Sequence, residues 1–155
     1  LISLALIRGL SGLGLSARLA PAPPRPYLQE LMPCFAFPAR DEVEIAGRKI
    51  VGSAQKRSGA AFLQHGSIPL ETDQTLLKAV ARSDRQNPEI RMTSLSEALG
   101  RPVTFAEAAS QFVRGFAAAF GVALSPHNLT REDWRAISLI ETQRYDNDAW
   151  TFKPA

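Results

Sequence analysis

The segment 42–51 limits the possible fold more than any other part of the chain. Acidic and apolar residues alternate over residues 42–45, which is typical of a strand with one buried face. Ala46 and Gly47 follow and favour a tight turn, and residues 48–51 begin a return strand. The segment therefore predicts a β-hairpin.

A third strand is predicted over residues 61–70. It follows the small residues 52–55 and a basic, glycine-containing turn over residues 56–59. Three successive strands predict an antiparallel meander. Its small residues lie where a ligand or another part of the backbone must come close.

The rest of the chain is predicted to be mainly helical. Residues spaced three apart predict an amphipathic first helix: Leu4, Ile7, Leu10 and Leu13. A capping box of Thr104 and Glu107 begins a long helix, and phenylalanines predicted to face the core recur along it: Phe105, Phe112, Phe116 and Phe120. A last helix begins at Thr130, with Trp134 and Ile137 predicted to face inward. These elements predict an α/β (α+β) fold, an antiparallel sheet packed with helices whose C-terminal part is mostly helical.

Length and composition narrow the class of protein further. The chain has 155 residues, which is enough for one domain with a core and too short to expect two. A net charge of +3, without a basic stripe interleaved with aromatics, does not predict nucleic-acid binding. No apolar stretch approaches the roughly 20 residues of a membrane span. At the start of the chain Arg8 interrupts the apolar run, so we expect a packed helix whose upstream chain is missing rather than a signal peptide.

Cys34 is the single cysteine, so neither an intrachain disulfide nor a cysteine-rich metal site is possible. His65 and His127 lie far apart without ligand spacing, and no metal site is predicted. A lone cysteine is usually a small buried hydrophobe. The prolines around Cys34 predict an irregular segment, from which a thiol reaches a cleft more easily than from a core element. From the residues alone both interpretations stay open.

Two motifs together resemble the lipoate–protein ligase and octanoyltransferase family. They are the sequence EVEIAGRKIVGSAQ at 42–55 and LQHGSI at 63–68, and the similarity continues through residues 93–97, the phenylalanine-rich helix and residues 144–150. The resemblance implies the catalytic fold shared with biotin–protein ligases, as a single partial domain over residues 1–155 in the cytoplasm. The family's arginine- and glycine-rich acyl-pocket segment lies upstream of this region, so a fragment of a longer protein is expected. The family's asparagine before the hairpin also has no clear match.

The resemblance implies two catalytic residues. Cysteine-dependent octanoyltransferases carry their nucleophile just before the hairpin in a Cys-Phe-x-x-Pro context, which residues 34–38 match. Cys34 is therefore predicted to hold the acyl group as a thioester. Lys49 matches the family lysine that contacts the acyl carbonyl, where an ammonium stabilises an oxyanion. The alternative for Lys49 is an ordinary solvated lysine on a hairpin strand.

Six further residues are predicted to contact the acyl chain, the thioester or the incoming lysine: Gly52, Ser53, Ala54, Gln55, His65 and Gly66. The small residues permit close approach, and Ser53 is a donor for a carbonyl. A plain bend in the strand is the alternative. His65 has the chemistry of a base for the lysine proton, and a structural role in its loop is equally compatible.

The implied activity is octanoyl transfer in lipoate biosynthesis. The donor would be octanoyl-acyl carrier protein, and the acceptor the lysine of a lipoyl domain or of glycine-cleavage H protein. The route would pass through acyl-Cys34 without a cofactor. Two alternatives stay open: an ATP-dependent lipoate–protein ligase that needs Mg²⁺, and a non-catalytic module that binds lipoyl domains.

Overall fold

The structure is a computed structural model that describes residues 1–21, 40–72 and 91–153. The predicted nucleophile Cys34 lies outside the described residues, and so does a short helix that the spacing of Leu76, Leu77 and Val80 predicts. The chain forms two compact units, residues 1–123 and residues 124–155.

The predicted hairpin at residues 42–51 is confirmed. Strands β1 (Arg18–Leu19), β2 (Val43–Ile45) and β3 (Arg48–Lys49) form an antiparallel sheet in that order. The turn between β2 and β3 places Ala46 at φ 50° and Gly47 at φ 77°. Two successive residues with positive φ match the twist of the flanking strands, which is why such turns are favoured in hairpins.

The next two strands form a ladder of their own. Strand β4 (Gly52–Ser58) pairs with β5 (Ala61–Ser67) in antiparallel register. The predicted third strand is thus confirmed as β5. The alternative of a plain bend over residues 52–55 was wrong, because every residue from Gly52 to Ser58 has a partner in the ladder. The predicted turn is narrower and lies at residues 59–60, and the predicted single meander was wrong, because β4 and β5 form a separate sheet.

Helices α1 (Ile2–Gly12) and α3 (Phe105–Phe120) pack against each other through small residues. An added Cβ on Gly115 of α3 would lie 2.5 Å from the carbonyl oxygen of Ala5 on α1. A side chain there would push the helices apart, because interaxial distance follows the size of the residues at the contact.

Because α1 and α3 pack so closely, only some of the residues predicted to face the core are buried. Leu10 and Leu13 are buried as predicted, whereas Leu4 is exposed, because Ala5 and Gly9 take the buried face of α1. On α3, Phe112 packs against the core. Phe105 is 77% exposed and Phe120 is also exposed, so assigning both to the core was wrong. The small residues Ala108 and Gly115 line the buried stripe instead.

The remaining elements of the first unit follow their local sequence signals. Helix α2 (Leu95–Leu99) begins after the cap Ser94 and ends at Gly100 in the left-handed conformation, which confirms the short helix that residues 94–100 predict. The cap Thr104 accepts a hydrogen bond from the backbone of Glu107. The Glu107 carboxylate bonds Arg101 at 2.6 Å. Of the predicted capping box at this helix, the structure shows the Thr104 half.

The second unit contains helix α4 (Arg131–Ile140), a π-helical turn (Glu141–Tyr145) and helix α5 (Asp148–Thr151). A complete capping box of Thr130 and Asp133 begins α4, as the sequence predicts for this start. Trp134 is 57% exposed and Ile137 is exposed as well, so their inward placement was wrong. Within the unit, α4 has only the π-turn and one short helix to pack on, which is too little to bury its apolar face.

Candidate active site

Lys49 occupies the centre of the described part of the site. Its backbone N–H donates to the carbonyl of Arg91 at 2.7 Å, and its carbonyl accepts from the N–H of Thr93 at 2.9 Å. Strand β3 is therefore held between β2 on one side and residues 91–93 on the other. These bonds fix the direction in which the Lys49 side chain leaves the strand.

The Lys49 side chain is buried and ion-paired. The residue is 5% exposed. Its Nζ lies 2.8 Å from Oε1 and 2.7 Å from Oε2 of Glu42. The alternative of an ordinary solvated lysine was therefore wrong. A buried ammonium without a carboxylate would be strongly destabilised, so the pairing makes this placement possible.

A second carboxylate lies even closer to Lys49 in the strand register. Glu44 is directly opposite Lys49 across β2 and β3, and only 3% of it is exposed. Its Oε1 accepts from Nε of Arg18 on β1 at 2.7 Å. Among the described residues, Arg18 pairs with Glu44 and Lys49 pairs with Glu42 on the same face of the sheet.

Arg48 on β3 forms an ion pair with Glu97 on helix α2, on the face of the hairpin opposite Lys49. Its Nη1 lies 2.7 Å from Oε1 of Glu97, and the Thr93 hydroxyl donates to Oε2 of Glu97 at 3.2 Å. The hydrogen bond from Arg48 is the main cause that lowers the pKa of the Glu97 carboxyl, while its partial burial acts in the opposite direction. Both side chains are partly exposed, so the pair contributes modestly to stability and acts mainly on orientation.

At Gly66 another part of the backbone comes close, as predicted for the small residues of this region. A Cβ at Gly66 would lie 2.5 Å from the carbonyl oxygen of Gly52 and 3.1 Å from Cβ of Ser53. The neighbour that comes close is the paired strand β4. The absence of a side chain at this position is therefore required by the ladder itself.

The six predicted substrate-contact residues divide between the two faces of the β4–β5 hairpin. Cross-strand partners share a face and successive residues alternate. The register pairs Ser53 with Gly66 and Ala54 with His65. Ser53, Gln55 and Gly66 consequently lie on one face, and Gly52, Ala54 and His65 on the other. The structure brings each set of three together and does not bring all six onto one surface.

Polar contacts are already present on the first of these faces. Gln55 donates through Nε2 to Oε1 of Gln64 at 3.1 Å, and its own Oε1 accepts from Nε of Arg57 at 2.8 Å. His65 is exposed on the opposite face. Among residues 1–21, 40–72 and 91–153, no group of three or more His, Cys, Asp or Glu side chains is arranged to hold a metal ion.

Sequence reasoning missed Glu42 as part of the site. Its acidic character was assigned to the solvent-facing half of the alternating strand. The available signal was that Glu42 and Glu44 share one face of β2, while the paired strand carries Lys49 on that same face. The register places Glu44 opposite Lys49, whereas the contact is with Glu42, and the local sequence does not distinguish the two carboxylates.

The first compact unit is thus a mixed α/β domain in which a buried, ion-paired lysine lies on the second strand of a hairpin. Residues 2–117 match the family model of the lipoyl protein ligase A/B catalytic domain. The chain belongs to this family, which confirms the resemblance seen in the sequence.

Relatives of the chain in this family include octanoyltransferases. The chain is 38% identical to octanoyltransferase LipM of Symbiobacterium thermophilum, over 98% of this chain and 60% of the relative. It is 37% identical to octanoyltransferase LipM of Kyrpidia tusciae, again over 98% of this chain and 60% of the relative. The chain therefore spans well under two thirds of the length of these proteins.

Solved structures share the fold. A lipoate–protein ligase A bound with ATP superposes with a TM-score of 0.75 at 20% identity, over 96% of this chain and 56% of that one. A structure of a bipartite lipoate protein ligase and its E2 lipoyl domain, from Thermoplasma acidophilum, gives a TM-score of 0.71 at 19% identity, over 96% and 55%. At such identities the likeness concerns the fold alone, and it confirms the predicted α/β class. No helix among the described residues is both long enough and apolar enough to cross a bilayer.

Proposed function

We propose that the protein transfers an octanoyl group from an acyl thioester to the lysine amine of a lipoyl domain, as a step of lipoate biosynthesis. The observation that carries the proposal is the buried Lys49, held on the family hairpin with its ammonium in an ion pair. The octanoyltransferases that align with almost the whole chain support octanoyl transfer over other acyl chemistry.

The proposed reaction has two acyl transfers. The Cys34 thiolate attacks the carbonyl carbon of the octanoyl thioester, the donor thiolate leaves, and the acyl group becomes a thioester of Cys34. The acceptor amine then attacks this second thioester, loses a proton, and releases the Cys34 thiolate as the amide forms. His65 would be the base for that proton only if the acyl group lay on its face of the β4–β5 hairpin.

Lys49 acts on the charge that develops in both steps. Each tetrahedral intermediate places a negative charge on the former carbonyl oxygen. An ammonium held in a buried position stabilises that oxygen more than an ammonium in water does, because the local dielectric is low and the donor needs no reorganisation. The thioester donor carries its own activation, so this route needs neither ATP nor Mg²⁺.

The division of the β4–β5 hairpin into two faces limits the acyl contacts. One octanoyl chain along one face would meet Ser53, Gln55 and Gly66, and along the other face Gly52, Ala54 and His65. We assign acyl contact to the face with Ser53 and Gly66, because Ser53 is the donor for a thioester carbonyl. On this assignment His65, on the opposite face, does not reach the attacking amine, and the proton passes to water.

Lipoyl domains are the proposed acceptors, and glycine-cleavage H protein is the second acceptor of the same chemistry. Octanoyl-acyl carrier protein is the proposed donor, and the cytoplasm, where such donors are made, is the proposed location. The structural analysis of the Thermoplasma acidophilum lipoylation system likewise concerns a lipoate protein ligase and its E2 lipoyl domain.

The covalent intermediate provides the direct test. The full-length protein is mixed with octanoyl-acyl carrier protein, digested and analysed by mass spectrometry. We expect an octanoyl mass on the peptide that contains Cys34, and no adduct in a Cys34→Ser variant that folds like the wild type. An active protein without the adduct, or with the adduct on another residue, would exclude the relay through Cys34.

A further inference from the structure

We infer that Glu42 is a positioning residue, which holds the Lys49 ammonium at the place where the oxyanion forms. The inference rests on the proposed function, because the location of Lys49 matters for transfer only if Lys49 acts on the acyl carbonyl. Glu42 would act through Lys49 and would not itself touch the substrate.

The contact geometry carries the inference. Both carboxylate oxygens of Glu42 lie within hydrogen-bond distance of Nζ, at 2.8 Å and 2.7 Å. A lysine side chain has a flexible four-carbon stem and many rotamers. Contact with two oxygens of one carboxylate restricts where the end of that stem lies.

The neighbouring pair explains why Glu42 has this role and Glu44 does not. Glu44 lies directly across the ladder from Lys49, and it would be the nearer partner by register. Arg18 occupies the Glu44 carboxylate at 2.7 Å. The Lys49 ammonium is thereby drawn diagonally to Glu42, at the end of β2 where the chain arrives from Cys34.

The direction in which the transfer rate changes after removal of the Glu42 carboxylate distinguishes positioning from simple charge neutralisation. A carboxylate next to an ammonium offsets part of the positive potential that an oxyanion would experience. If Glu42 only neutralised charge, its removal would leave the transfer rate unchanged or raise it. If Glu42 positions Lys49, its removal lowers the rate, because the ammonium is released to other rotamers or to Glu44.

The kinetic experiment compares two carboxylates of the same sheet face. Octanoyl transfer to an apo lipoyl domain is measured for Glu42→Gln, Glu42→Asp and the matched control Glu44→Gln in the full-length protein. We expect Glu42→Gln to lower kcat by up to about a hundredfold with little change in KM, the scale of a misplaced catalytic group. Glu42→Asp should restore part of the loss, and Glu44→Gln should retain most of the activity.

Two kinetic results would overturn the inference. One is a Glu42→Gln variant that folds and transfers at the wild-type rate. The other is an equal loss of kcat in Glu42→Gln and Glu44→Gln, which would show a general effect of neutralising a carboxylate on this face.

A spectroscopic readout separates this inference from the proposed function. The Nζ chemical shift of Lys49, assigned with a Lys49→Arg variant, should move in Glu42→Gln and stay nearly unchanged in Glu44→Gln. That result, in a wild-type protein that transfers no octanoyl group, would retain the positioning pair and reject the transferase. An Nζ shift unchanged by Glu42→Gln would reject the positioning pair whatever the activity.

Discussion

Water hydrates a lysine ammonium strongly, yet Lys49 is 5% exposed and relies on the Glu42 carboxylate in its place. Breaking a buried pair by removing one partner costs about 3–5 kcal/mol, because the remaining charge keeps its burial and loses its counter-ion. Glu42 is less buried than Lys49, so water can reach the carboxylate if the lysine is lost. Substitutions of Lys49 should therefore yield folded protein.

Substitution of Lys49 tests its proposed role in the transfer reaction. Lys49→Ala removes the proposed oxyanion donor and should lower the transfer rate by about two to three orders of magnitude, the scale for one such donor. Lys49→Arg should recover only part of the rate, because a planar guanidinium places its donors differently. The measurement is steady-state transfer from octanoyl-acyl carrier protein, with Lys56→Ala as the exposed-lysine control. Near-wild-type transfer by Lys49→Ala would remove Lys49 from the mechanism.

The sequence predicts the importance of Lys49 but not its ion-pair partner. The motif around Lys49 identified the lysine, and the alternation in β2 predicted a sheet face that carries two glutamates. Lys49 pairs with Glu42, while its register neighbour Glu44 pairs with Arg18, which lies 26 residues from Glu44 along the chain. Contacts of that kind follow from the packing of distant strands, and no local pattern encodes them.

At the scale of elements, strand β2 was predictable from its alternation, and strand β4, exposed on both faces, was not. The single buried face predicted for β2 was wrong, because Val43 and Glu44, on opposite faces, are 2% and 3% exposed. Strand β2 alternates apolar and acidic residues, so its period is visible. Strand β4 has the sequence GSAQKRS and is exposed over nearly its whole length, so it shows no such period. Its backbone bonds to β5 define it instead. On α1 and α3, likewise, small residues such as Ala5, Gly9 and Gly115 form much of the buried stripe, which a pattern of large apolar residues does not reveal.

The crossing of α1 and α3 predicts a sharp difference between two glycines. Gly115→Ala would place a methyl group 2.5 Å from the Ala5 carbonyl and 2.6 Å from the Gly9 nitrogen, both of them backbone atoms. We expect a loss of about 1–3 kcal/mol in the free energy of unfolding, as for other overpacked sites. Gly12→Ala meets only the movable end of the Gln111 side chain, so this control should be neutral or slightly stabilising. Urea unfolding of both variants measures the difference, and equal stabilities would contradict the close crossing.

The contact between the hairpin and α2 predicts a pH dependence of stability. The pKa of Glu97 is lowered in the folded state, chiefly by the hydrogen bond from Arg48. A depressed pKa stabilises the fold above the unfolded value, and this contribution disappears as the pH falls through the folded value. Wild-type stability should therefore fall on acidification below about pH 4.5, where carboxylates begin to protonate. Glu97→Gln should lack a component of about 0.2–1 kcal/mol, the range for exposed pairs. An identical pH profile of unfolding for both proteins would show that the pair contributes nothing.

At the scale of the whole molecule, the fold and the family are shown and the activity is proposed. The family match covers residues 2–117, which lie in the first compact unit. The octanoyltransferases align with 98% of the chain, but the chain accounts for 60% of their length. The solved structures of the same fold include a ligase that binds ATP. Fold alone therefore does not separate a transferase from a ligase, and the separation has to come from the chemistry of the acyl donor.

That chemistry gives the last prediction. The full-length protein, freed of nucleotide and treated with a chelator, should modify an apo lipoyl domain from octanoyl-acyl carrier protein, because a thioester is already activated. It should do little with free lipoate plus ATP and Mg²⁺, since that route requires an acyl adenylate before any amine can attack. Mass spectrometry of the lipoyl domain measures both reactions, and Cys34→Ser serves as the control in each. Loss of the thioester reaction in Cys34→Ser supports the cysteine relay. Strong ATP-dependent lipoylation that survives Cys34→Ser would instead assign the protein to the ligases, with Lys49 acting on an adenylate in place of a thioester.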